Sequence, residues 1–119
     1  MTPFGARLRG LRQSRSLTQK QMAAALNVSA AYLSALEHGH RAAPSFDFVQ
    51  RVTGYFNVIW DEAEELQRLA ALSDPKPSID TSGLSPEATE LANLLARRIA
   101  SLPNEKVEEL LSALKSGQD

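Results

Sequence analysis

The 119-residue chain contains no cysteine, which excludes disulfides, thiolate nucleophiles and cysteine-based zinc sites. It has no apolar run approaching the roughly 20 residues that cross a bilayer. Its N-terminus lacks the charged and apolar blocks of a signal peptide, so a cytoplasmic protein with no membrane association is expected. No Ser-His-Asp order, glycine-rich phosphate loop or carboxylate pair in a glycine-rich setting is visible, so neither an enzyme nor a cofactor is expected. His38 and His40 stand in a His-x-His spacing, but no further ligands lie nearby and no metal site is expected. The length suits one compact domain with an appended element, and is too short for two full domains.

Charge is present in near balance, at −1 overall, but its two signs are separated along the chain. Residues 1–58 hold seven Lys or Arg against Glu37 and Asp47, or +5, and the remainder holds six against twelve, or −6. A basic module joined to an acidic one implies a polyanionic partner for the first half and none for the second.

The stretch that organises the basic half is LTQKQMAAALNVSAAYLSALEHG, Leu17 to Gly39. Thr18 can cap a helix through its hydroxyl, and Gln21 completes the reciprocal capping box. Ser29 can cap a second helix. Between them Asn27 sits where the chain must reverse, and asparagine tolerates the left-handed backbone better than other residues with a side chain. Met22, Ala23, Leu26, Val28, Leu33 and Leu36 then face one core, with Ala23 small enough for close approach at the bend. The result is a helix-turn-helix with a polar face left over.

Around it the chain reads as helices. Thr2 and Pro3 start the first, with Phe4, Leu8 and Leu11 as its apolar stripe and Arg7, Arg9 and Arg15 pointing to water or phosphate. Gly39 suits a left-handed cap after His38. Ser45 caps a fourth helix whose core stripe reads Phe46, Val49, Val52 and Phe56, ended by Asn57. A fifth spans about Trp60 to Leu72, with acids at its start and Leu66, Leu69 and Leu72 on its buried side. Ser73 to Gly83 has two prolines and no helical period, which reads as an ordered crossing or a flexible linker. Ser85-Pro86-Glu87 opens a sixth helix faced by Leu91, Leu94, Leu95, Ile99 and Leu102. Pro103 breaks it, and a last helix to Lys115 carries Val107, Leu110, Leu111 and Leu114. Such a hairpin is too small to bury both stripes by itself, so these nine side chains form the expected dimer or partner interface.

The segment FGARLRGLRQSRSLTQKQMAAALNVSAAYLSALEHG resembles the lambda and 434 repressor-like family, the XRE or Cro/C1-type helix-turn-helix. Leu-Thr-Gln enters the second helix, Ala23 is the small residue, and Val28, Leu33, Leu36 and a terminal Leu-Glu-x-Gly follow at the family's spacing. The resemblance covers about Phe4 to Leu72. It implies an all-α fold: a five-helix DNA-binding domain over residues 1–72, joined by a linker over 73–83 to a helical hairpin over 84–119. The family's turn residue is usually glycine, where this chain has Asn27.

The resemblance implies binding to double-stranded DNA, with the third helix, about residues 29–37, in the major groove. The family often presents long amides or arginines there; this chain has Ala30, Ala31, Tyr32, Ser34 and Ala35. The alanines can meet thymine methyls and Tyr32 a base edge or phosphate, so readout leans on apolar contact and DNA shape. Gln19 matches a family position that contacts phosphate at the positive end of the second helix. Lys20, Ser29, Ser34, His38, His40 and Arg41 are further candidates for the DNA backbone. The family pairs the positions of Arg12 and Glu37 across the first and third helices, so these are expected as a structural ion pair.

The expected function is a homodimeric, sequence-specific transcriptional regulator of bacterial or phage type, cytoplasmic and nucleoid-associated. Its dimer interface is either the hairpin or the first 72 residues, the fifth helix included. The alternative is an antitoxin or other protein-interaction module that also binds DNA, with a protein partner at the hairpin.

Overall fold

A computed structural model describes residues 1–117. They form seven α-helices and one short 3-10 turn, with no strand among the described residues. The fold is all-α. The chain divides into two compact units, Met1–Pro77 and a second beginning at Ser78.

The first unit holds α1 (Pro3–Ser14), α2 (Gln19–Leu26), α3 (Ala30–Glu37), α4 (Phe46–Tyr55) and α5 (Asp61–Ala71). Four of these helices begin in the same way. Oxygens of Thr2, Thr18, Ser29 and Ser45 accept the N–H three residues on, at Gly5, Gln21, Tyr32 and Phe48, over 3.0 to 3.1 Å. Each occupies one of the donors that a helix start leaves unpaired. At α2 the Gln21 side chain returns to the Thr18 N–H at 2.9 Å, which closes the capping box. The start of α5 has no such side-chain bond, and Asp61, Glu62 and Glu64 stand in its first turn instead.

Four helices also end alike. Ser16, Asn27, Gly39 and Asn57 take positive φ of 54°, 58°, 78° and 54°. The N–H of the next residue then reaches back five positions: Leu17 to Arg12, Val28 to Ala23, His40 to Ala35 and Val58 to Thr53, at 2.9 to 3.1 Å. Three of those following residues, Leu17, Val28 and Val58, pack against the core, the hydrophobic contact that accompanies this kind of helix stop. Thus one device sets the exit of four consecutive helices.

Phe4, Leu8, Met22, Ala23, Leu26, Leu33, Leu36, Phe48, Val49, Val52, Phe56, Leu66 and Ala70 make one core. Gly5 allows α1 to cross the end of α3: a Cβ there would lie 2.6 Å from the Leu36 carbonyl oxygen. Phe46, expected in the core stripe of α4, is 62% exposed, and Phe48 takes the place instead. At about 100° per residue, Phe46 lies roughly 90° from the centre of the arc set by Phe48, Val49, Val52, Thr53 and Phe56. Leu72 is exposed rather than buried, because α5 stops at Ala71 and its inner side is Leu66 and Ala70. Trp60 precedes α5 and is also exposed. Ser73, read as the first linker residue, is buried; its hydroxyl oxygen accepts the Phe4 N–H at 2.9 Å and its O–H donates to the Leu69 carbonyl.

The second unit holds α6 (Pro86–Arg98), the 3-10 turn Ile99–Ser101 and α7 (Asn104–Ser116). Ser85 caps α6 with its hydroxyl on the Ala88 N–H at 3.1 Å, and Pro86 takes the first helical position. Before it, Asp80 accepts the Ser82 hydroxyl and N–H, and these bonds hold its carboxyl below the ordinary aspartate range. Neither helix has a buried residue. Leu91, Leu94, Leu95, Leu102 and Leu110 line an open groove of about 230 Å³ with Arg98 and Lys106. Ile99, Leu111 and Leu114 are exposed, and Val107 is half-buried.

Candidate nucleic-acid interface

Helix α3 is held from one side. Leu33, Leu36 and Glu37 are buried, while Ala30 and Ala31 are exposed at its start. Tyr32, Ser34 and Ala35, which the sequence placed among exposed positions, are half-buried; Tyr32 and Ser34 lie on the flanks of the buried side, and Ala35 lies on the outer side with Ala31. The outer surface near the start of α3 is therefore a low strip of methyl groups.

Glu37 is the charged residue within this core, 1% exposed. Arg12 meets it with a fork: Nε donates to Oε2 at 2.8 Å and Nη2 to Oε1 at 3.1 Å. Its remaining nitrogen, Nη1, donates to the Leu17 carbonyl at 2.9 Å. Gln19 Nε2 also donates to Glu37 Oε1, at 3.1 Å. One carboxylate thus ties α1, the entry of α2 and the end of α3 together. No buried side-chain polar atom lacks a partner among the described residues. Glu37 takes one of the two N–H donors of the Gln19 amide, and the Gln19 backbone N–H, at the first helical position of α2, is a further group available to an anion.

Two other arginines are engaged in the same manner. Arg15, expected to face water or phosphate, donates to the carbonyls of Tyr55 and Phe56 at 3.2 and 2.7 Å and lies over the Phe56 ring. Arg51 donates to the Leu26 carbonyl at 2.6 Å, with its guanidinium over Phe48. Helix ends expose carbonyl groups and a negative dipole, and an arginine from a neighbouring helix satisfies both. Nothing local in the sequence marks these partners, since each lies 25 or more positions away.

The rest of the cationic surface is exposed: Arg7, Arg9, Lys20 and Arg41, with His38 and His40 between α3 and Arg41. His38 Nδ1 is 2.7 Å from the Ser34 carbonyl, and its ring stacks near that of His40. Ser29 is exposed, with its oxygen occupied by the Tyr32 N–H and its hydroxyl hydrogen still available. Arg41 turns back over the Tyr32 ring, 5.3 Å from its centroid. No group of three or more metal-ligating side chains occurs among the described residues.

A family model described as a helix-turn-helix domain matches residues 3–72, more than half of the chain. The chain belongs to the helix-turn-helix family, in its XRE type. A relative, the uncharacterized HTH-type transcriptional regulator RghRB of Bacillus subtilis (strain 168), is 34% identical over 61 residues. That match covers 51% of this chain and 44% of the relative, so the chain spans less than half of that protein's length. Among solved structures, a chain of the SinR protein/SinI protein complex aligns with a TM-score of 0.47 at 20% identity, over 94% of each chain. The helix-turn-helix match runs through the Arg12–Glu37 pair, both ends of α3 and the loop to Arg41. It ends at residue 72, before α6.

Proposed function

We propose that this protein is a sequence-specific DNA-binding transcriptional regulator of bacterial or phage type, acting in the cytoplasm on the nucleoid. The observation that carries this reading is the presentation of α3. Its inner side is fastened by the Glu37 cluster and the core, its start exposes Ala30 and Ala31, and the exposed Arg41 lies over Tyr32 in the same first turn. Small side chains let the helix backbone approach the floor of a major groove, where alanine methyls meet thymine methyls. The backbone N–H groups opening α2, with Lys20, Ser29, Ser34, His38, His40 and Arg41, supply phosphate contacts that set the register. With few long polar side chains on α3, specificity draws on DNA shape as well as on base edges. Selection from random duplexes by the purified protein tests this reading. It requires an enriched motif whose affinity falls steeply between 50 and 200 mM salt as counterions are released; no enrichment, or salt-independent binding, contradicts it.

The protein works as a homodimer in this reading, with two copies of α3 about one helical turn, roughly 34 Å, apart. The hairpin supports that assignment, because α6 and α7 leave their leucine faces uncovered and a two-fold copy would cover them. The same faces suit a different protein partner, which makes the antitoxin-like reading the second choice. Sedimentation of the purified chain separates the two: a dimer favours self-association, and a monomer favours a foreign partner.

A further inference from the structure

Arg41 lies in the irregular segment between α3 and α4, where an exposed arginine would ordinarily sample many rotamers. Here its guanidinium carbon sits 5.3 Å from the centroid of Tyr32, the third residue of α3 and nine positions back in sequence. The Tyr32 ring is itself fixed. It meets Phe48 edge-on at 5.7 Å and 81°, and Phe48 is buried against Phe4. A chain of aromatic contacts therefore runs from the core to a surface arginine.

We infer that Tyr32 is a positioning residue that holds Arg41 as a preformed phosphate clamp beside the start of α3, a deepening that rests on the DNA-binding reading above. A guanidinium carries five N–H donors around its edge, so a contact with one ring leaves donors directed away from it, and those are what grip a phosphate. None of the hydrogen bonds or ion pairs among the described residues involves the Arg41 side chain, so those donors are open. Tyr32 is thereby a platform rather than a reader of bases, and the arginine's ordering is largely complete before DNA arrives. The contact also carries a charge from beyond the end of α3 back over its first turn, next in sequence to Ala30 and Ala31.

The test uses the full chain and a duplex selected from random sequences by the parent protein. Failure of the parent to select or bind any duplex overturns the DNA reading and this inference with it; the variants decide the inference alone. Arg41→Ala should weaken binding and lower the slope of log affinity against log salt by about one. Tyr32→Phe, which keeps the ring, should bind within about 2-fold of the parent. Tyr32→Leu should lose about 2- to 5-fold, the size of an exposed cation–π contact, and that loss should vanish in the Arg41→Ala background. Additive losses in this double-mutant cycle overturn the positioning role, as does a Tyr32→Phe loss as large as that of Tyr32→Leu, which would mean that the hydroxyl contacts DNA. If Tyr32→Leu does not fold, Arg41→Lys decides: the salt slope should persist with about 2- to 5-fold weaker binding, and parental affinity overturns the clamp.

Discussion

Replacing Arg12 with alanine should be among the most damaging single changes available on α1 outside its apolar stripe. Glu37 is 1% exposed and Arg12 14%. The substitution removes two hydrogen bonds to the carboxylate and one to the Leu17 carbonyl. It leaves Glu37 charged in the core with the Gln19 amide as its remaining side-chain donor. Breaking a buried pair from one side costs about 3 to 5 kcal/mol, much of it from the stranded charge. The 14% exposure of Arg12 lets some water reach the vacancy, so the low end, about 3 kcal/mol, applies. In a unit of 77 residues that corresponds to a fall in Tm of roughly 12 to 24 °C. Urea and thermal melts by circular dichroism measure the loss, and hydrogen exchange at α3 amides confines the reading to the first unit. Arg7→Ala, an exposed arginine on the same helix, should stay within about 0.5 kcal/mol of the parent. The double variant Arg12→Met/Glu37→Met should recover at least half of the loss, because no charge is left buried. An Arg12→Ala protein that melts with the parent, or a double variant no better than the single, refutes the reasoning.

Other outcomes follow from single features of the fold. At Asn27, with φ 58° and ψ 46°, alanine should cost about 1 kcal/mol and glycine should be neutral or slightly stabilising, as read by urea midpoints. Gly5→Ala should destabilise by about 1 to 3 kcal/mol, since its Cβ would stand 2.6 Å from the Leu36 carbonyl oxygen and must push α1 off α3. On the hairpin, Leu110→Asp should leave the first unit's melt unchanged and convert the dimer to a monomer in sedimentation; an intact dimer would move the interface to the first 72 residues.

The helix boundaries of the first unit were legible because their signals are local. Thr2, Thr18 with Gln21, Ser29 and Ser45 act within three residues of themselves. Asn27 and Gly39 announce their turns through backbone preference, whereas Ser16 takes the same left-handed conformation with no residue-type signal. The exchange of Phe46 for Phe48 was not legible: two phenylalanines two positions apart offer alternative stripes, and only packing against Phe4 and Tyr32 selects one. Charge was the least readable property. Arg15 looks like a phosphate ligand in sequence and Arg51 has no local signal, yet the acceptors of both are carbonyls of distant helix ends. The amide of Gln19 joins Glu37 for the same tertiary reason, and the contact of Arg41 with the Tyr32 ring depends on where the loop after Gly39 returns.

The central claim, that the exposed start of α3 lies in the major groove, is tested most directly by repeating the duplex selection with Ala31→Gln. Ala31 is exposed, so the fold should be unaffected. A glutamine there can make the paired hydrogen bonds that favour adenine. The expected result is a selected motif altered at one position in each half-site and unchanged elsewhere. A motif identical to the parent's at every position would contradict the account.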